Sequence, residues 1–189
     1  MKDLAAKVAA VSGQRGVTVG EQNGSANVAI ELPPTLEEEE HNGHLSQFWQ
    51  DYESGSRSFV GIDLSGANLS GSHVYLDNID LSSANLEGTI LTAINLGNAT
   101  FDRANLKEAQ LDNTNLARAD LIDAILTGAN LKGANLRGAN LQRADLQNVD
   151  LSYADLTHAN LEGARLENAK LYRTRTDGLQ VVPLESLSS

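Results

Sequence analysis

The stretch ANLKGANLRGANLQRADL, from Ala129 to Leu146, spells out a five-residue unit of the form A-(N/D)-L-x-x. Outward from it, every fifth residue from Leu76 to Leu171 is leucine except Phe101, which makes 19 of 20 positions. Two residues before each stands alanine in 14 of the 20 units, and the residue between is Asn or Asp in 13. A shorter run in another register precedes it, centred on Phe59, Leu64 and Leu69. Leu69 and Leu76 are seven residues apart, so two residues are inserted near Ser72 and His73.

A period of five suits neither regular element. On an α-helix it carries the leucines round every face, and on an unbroken strand it sends them alternately to opposite sides. It fits a very short strand followed by a corner. Residues two apart on a strand share a face, so alanine and leucine point inward, Asn or Asp points outward, and the remaining two residues turn the chain. Four such corners close a coil of 20 residues, and coils stack at about 4.8 Å through parallel pairing. The predicted fold is an all-β, right-handed quadrilateral parallel β-helix, a solenoid, with the hand taken from parallel crossovers. A leucine-filled coil also accounts for an aromatic content of only 4%.

These tandem units, from Ile62 to Tyr172, resemble the pentapeptide-repeat family. The stretch from Tyr52 through Arg57 and Phe59 into Leu64 is similar to the lead-in of its cyanobacterial-type members. The resemblance implies the right-handed quadrilateral solenoid. It implies little about function, because a fold does not carry one.

An open coil needs covers at its ends. Leu45, Phe48, Trp49 and Tyr52 have the i, i+3, i+4, i+7 spacing of an amphipathic helix. With Phe59 they are expected to form an N-terminal cap over residues 44–56 and the first coil; a partner-binding aromatic patch is the other reading. The repeat is placed at 57–173. The remaining 174–189, with Leu179, Val181, Val182, Pro183, Leu184 and Leu187, is either a C-terminal cap or the contact of an end-to-end homodimer. Residues 1–43 are expected to be an acidic, flexible extension. Within it, Val17–Val19 and Val28–Leu32 could pair as a weak hairpin. Thr35 and Glu38 have capping-box spacing ahead of the acidic run Glu37, Glu38, Glu39 and Glu40.

The 189 residues carry a net charge of −11 and no cysteine, which excludes disulfides, thiolate metal sites and a cysteine nucleophile. The acidity speaks against direct nucleic-acid binding, which wants clustered Lys and Arg. It is densest outside the repeats: −6 for residues 1–56, −4 for 57–173 and −1 for the tail. No stretch has the run of apolar residues that a membrane span needs, and the N-terminus lacks a signal-peptide pattern, so a cytoplasmic protein without membrane insertion is expected.

The search for chemistry returns no catalytic residue, no cofactor site and no metal site. Carboxylates such as Asp120 and Asp123 lie on solvated faces without a cleft to tune them. His41, His44 and Glu40 have loose ligand spacing, but Asn42-Gly43 is expected to break the helix that would align them. The informative residues are apolar or aromatic ones at outward positions: Ile122 and Ile125 on adjacent faces of one coil, and Tyr153 and Tyr172 on neighbouring coils beside Lys170 and Arg173. The sequence therefore points to a non-enzymatic scaffold, adaptor or linker for protein partners, using the solenoid faces and the acidic arm with its Glu37–Glu40 run. The family resemblance adds two alternatives: a DNA-mimicking modulator of DNA gyrase, and a linker or assembly factor of a photosynthetic antenna.

Overall fold

The computed structural model describes residues 19–22, 25–28, 36–70 and 75–181, with side chains from Gly43 onward. It divides into two units, Met1–Glu53 and Ser54–Ser189.

The first unit contains a hairpin and a helix. Strands β1 (Val19–Gln22) and β2 (Ser25–Val28) pair antiparallel, with Val19 opposite Val28 and Gln22 opposite Ser25. The sequence reading had the hairpin but misplaced its strands at Val17–Val19 and Val28–Leu32. In sequence the two strands are separated by Asn23-Gly24, which lies outside the described residues and is a dipeptide that two-residue hairpin loops favour. Helix α1 spans Leu36–Glu53 without interruption. Asn42-Gly43 does not break it, and the helix is longer at its N-terminus than the expected 44–56. A glycine inside a helix costs about 1 kcal/mol, which the surrounding Glu, Leu and Gln residues offset. The start at Leu36 follows directly on Thr35, which lies outside the described residues, and brings Glu37–Glu40 into the first turns, where the helix dipole favours anions.

The second unit is a β-helical solenoid. Each Asn/Asp position pairs in parallel with the one a coil later, as Asn95 with Asn115 and Asn115 with Asn135. Three backbone bonds make a rung. Leu116 N–H donates to Asn135 C=O at 2.8 Å, Asn135 N–H to Thr114 C=O at 3.0 Å, and Arg118 N–H to Arg137 C=O at 2.9 Å. Four rungs complete each coil, 20 residues apart from Tyr75 onward but 22 apart for Ser58–Asp80, Asp63–Asn85 and Asn68–Ile90. The two-residue insertion therefore falls between Asn68 and Tyr75, as the leucine spacing predicts. The rungs run on past 173, through Arg175 to Gln180.

The interior is as the pattern demands. The leucine column from Leu76 to Leu161, Phe101 included, is at most 3% exposed, and the alanine positions from Ala84 to Ala159 are buried with it. Thr89 and Thr114 replace alanine there, and their buried hydroxyls donate to Leu86 C=O and Leu91 C=O, both at 2.6 Å. A hydroxyl is tolerated in that wall because a carbonyl of the coil is within reach.

The corners explain the polar half of the unit. The second corner residue has φ between 54 and 73°, and the following inward residue closes the turn, as Ala84 N–H does on Leu81 C=O at 3.1 Å. A positive φ at that place alone, with this bond, is the type II turn. Asn or Asp on the rung then accepts the N–H two residues ahead: Asn115 Oδ1 takes Ala117 N–H at 3.2 Å, and Asp80 Oδ1 takes Ser82 N–H at 3.0 Å. This Asx turn is what the recurring Asn/Asp supplies. Amides also bond up the stack, with Asn115 Nδ2 donating to Asn95 at 2.7 Å and Asn135 Nδ2 to Asn115 at 2.9 Å.

Candidate functional site

Rungs and corners form outward columns that repeat every 20 residues, so residues far apart in sequence become neighbours. On the corner that follows Leu131, Leu151 and Leu171, Lys132, Ser152 and Tyr172 share the first position, while Gly133, Tyr153 and Arg173 share the second. Tyr153 and Tyr172 meet edge to face, ring centroids 5.4 Å apart and planes at 81°. Lys132 Nζ lies 5.9 Å from the Tyr153 ring centre, and the Arg173 guanidinium lies 5.3 Å from that of Tyr172. Both tyrosines are open to solvent, 49% and 59% exposed.

Cations flank this pair, with Lys132 and Arg173 against its rings. Lys170 stands beside it and reaches Asp150 at 3.7 Å. The Asp150 carboxyl is held below the usual range by hydrogen bonds from the Ser152 side chain and backbone, with Lys170 and Lys132 adding to the effect. Among the described residues, neither Lys132 nor Arg173 forms an ion pair with a carboxylate. Tyr153 sits at φ 63° and is the only Tyr, Phe or Trp among the described left-handed residues. A bulky residue is costly there, and such strain recurs where a side chain serves binding.

The other expected site residues fall elsewhere. Ile122 is half-buried and Ile125 44% exposed, on the corner after Leu121 and on the rung before Leu126, on different sides of the solenoid from the tyrosine pair. Ile125 takes a rung position that Asn105 and Asp145 hold in adjacent coils. Leu45, Phe48, Trp49 and Tyr52 lie on α1, where Leu45 and Phe48 are buried. Phe48 meets Trp49 edge to face at 4.9 Å and stacks on Tyr52 at 6.2 Å. Phe59 belongs to the solenoid's first coil and is buried there. The side chains of Glu37, Glu38, Glu39 and Glu40 lie outside the described residues. Lys132 was missed, because its tie to Tyr153 appears only when residues are read 20 apart.

Elsewhere the faces alternate charge. Arg143 grips Asp123 with two bonds of 2.7 Å, and Lys107 reaches Glu87 at 2.9 Å. Among the described residues no cluster of three or more His, Asp or Glu could hold a metal ion, and no helix is long and apolar enough to cross a membrane.

Similarity to known proteins agrees with this geometry. The family model for pentapeptide repeats matches residues 79–116, 114–152 and 150–175, in 8 copies. A pentapeptide repeat protein from the thylakoid lumen of Arabidopsis thaliana is similar in structure, with a TM-score of 0.50 and 29% identity over 57% of this chain and 70% of that one. One from the cyanobacterium Cyanothece 51142 is 31% identical over 73% of this chain and 99% of its own, with a TM-score of 0.34. HetL of Nostoc, involved in heterocyst differentiation regulation, is 24% identical over 70% of this chain and 94% of its own, with a TM-score of 0.24. No curated protein matches the chain. A period of five, four rungs to the coil and a type II turn at the corners, Asx-capped where Asn or Asp stands on the rung, together with the family match, make the chain a member of the pentapeptide-repeat family.

Proposed function

We propose that the protein is a non-enzymatic docking scaffold, its right-handed quadrilateral coil presenting the surface of Tyr153, Tyr172, Lys132, Lys170 and Arg173 to a protein partner. The observation that carries this is the exposed tyrosine pair flanked by Lys132 and Arg173. Tyrosine and arginine are the residues that most often anchor interfaces, since they bring large area at small entropic cost. The acidic arm ahead of the repeats serves as a second contact.

The test is affinity capture from the native host with mass spectrometry, comparing the wild type with Lys132→Ala/Tyr153→Ala and with Ile125→Asn. The first variant is expected to weaken capture about tenfold, as loss of an anchor does, while the second retains it. Equal capture by all three proteins overturns the assignment of the surface.

A further inference from the structure

The last two coils carry a charge pattern of which the tyrosine surface uses only Lys170. Asp145, Asp150 and Asp155 occupy the rung positions on three adjacent sides of one coil, and Arg165, Lys170 and Arg175 occupy the same sides of the next. Each cation reaches back to the carboxylate beneath it, at 3.4 Å for Arg165, 3.7 Å for Lys170 and 3.4 Å for Arg175. These pairs are long, and the cationic side chains are 56, 71 and 64% exposed. Such exposed pairs bind weakly, so each cation keeps most of its capacity for a second carboxylate.

Among the described residues, the apolar column inside this ring ends on an exposed leucine. Leu171 is 49% exposed, where Leu151, one coil earlier in the same column, is fully buried. The backbone is open as well. Leu151 N–H donates to Lys170 C=O and Tyr153 N–H to Tyr172 C=O, both at 2.8 Å. Among the described residues no backbone acceptor meets the corresponding N–H groups of Leu171 and Arg173.

We propose that this end of the solenoid takes an extended acidic segment of a partner protein as an added rung. Its backbone carbonyls accept from Leu171 and Arg173, an apolar side chain covers Leu171, and carboxylates lie over the cations. Strand addition draws affinity from backbone bonds and selectivity from alternate side chains. In each of the three columns a carboxylate is followed by a cation as the last charged rung residue, so an anion is the charge that suits the next place. The cations stand five residues apart, so a segment with an acidic residue at every fifth position matches them. The first coil of a second copy matches less well, because its rung residues Ser58, Asp63, Asn68 and Tyr75 include one carboxylate. This inference rests on the docking reading in so far as Lys170 belongs to both surfaces and Tyr172 and Arg173 border both.

The experiment uses the full chain and a fluorescent peptide of three Ala-Asp-Leu-Ser-Gly units, with a second peptide carrying Lys in place of Asp. The acidic peptide is expected to bind at least about tenfold more tightly. It should also slow hydrogen exchange at the Leu171 and Arg173 amides. Arg165→Glu/Lys170→Glu/Arg175→Glu should reverse the preference, and the Gln versions of the same three changes, which keep the side-chain bulk, should abolish it. Equal or absent binding of the two peptides overturns the proposal. So does protection of those amides in the free protein, or their protection on dimerisation seen by sedimentation, which assigns the edge to the chain's own tail or to a second copy. Lys132→Ala/Tyr153→Ala is expected to leave peptide binding within about twofold, so the tyrosine surface and the edge fail separately.

Discussion

The second residue of each corner holds the backbone in the left-handed region, and 15 described residues other than glycine do so. For an L-residue that conformation costs about 1–2 kcal/mol, of which glycine's greater loss of chain entropy takes back about half. Ala93, exposed at φ 57°, is the cleanest place to measure it. Ala93→Gly is expected to raise stability by up to about 1 kcal/mol in chemical denaturation, with no change in the spectrum of the fold. The converse holds at Gly133, with φ 69°, where an added Cβ would come within 2.7 Å of Asn113 Oδ1. Of the two neighbours of Tyr153 in that column, Gly133 takes this conformation freely, whereas Arg173 carries the same cost as the tyrosine.

At the scale of the rung, the Asn/Asp position has two tasks, capping its own corner and bonding to the next coil. Asn115 does both, receiving Ala117 N–H and Asn135 Nδ2 while donating to Asn95. Asn115→Ala is expected to cost about 1–2 kcal/mol, measured by urea unfolding, whereas Asn115→Asp keeps the cap and costs less. The inward half of this element was legible in the sequence. Leucine and alanine columns follow from the two-residue alternation of a strand, and the insertion before Tyr75 follows from one seven-residue step. The outward half was only partly legible. Asn and Asp were read as residues that simply face solvent, because their bonds to corner N–H groups depend on a turn type that spacing alone does not reveal. The tyrosine pair was found as two exposed aromatics, but Lys132 and the ring of Arg165 and Arg175 required residues to be compared across whole coils. In α1, local propensity at Asn42-Gly43 misled, since the residues on either side decide the helix.

Taken whole, the solenoid is a set of coils that each touch only their neighbours, so its stability is a sum of local interfaces. Acid should act on it through the carboxylate columns. Hydrogen bonds from Arg143 hold Asp123 below the usual range. Asp155 is also lowered: burial pushes it up, but bonds from Thr157, Arg137 and the nearby Arg175 outweigh that. A carboxyl depressed in the folded state stabilises it above the unfolded pKa, and that contribution is lost as pH falls through the folded value. Stability should therefore decline below about pH 4, the range where free aspartates titrate. Asp155→Asn, which preserves the Thr157 cap while removing the charge, should flatten the decline. A thermal melting series from neutral to acid pH checks both.

The 22-residue first coil has a consequence for how such a chain can change length through descent. Two extra residues between Asn68 and Tyr75 leave the rungs on either side paired. A surplus confined to one bend is thus absorbed where it arises. A gain or loss of one whole unit is different, since every later residue would move a quarter of the way round and each column would be continued by its neighbour's residues. Only multiples of four units return every side to its own succession of charges and rings. Selection on any one surface would therefore favour internal length changes of entire circuits, in steps of 20 residues.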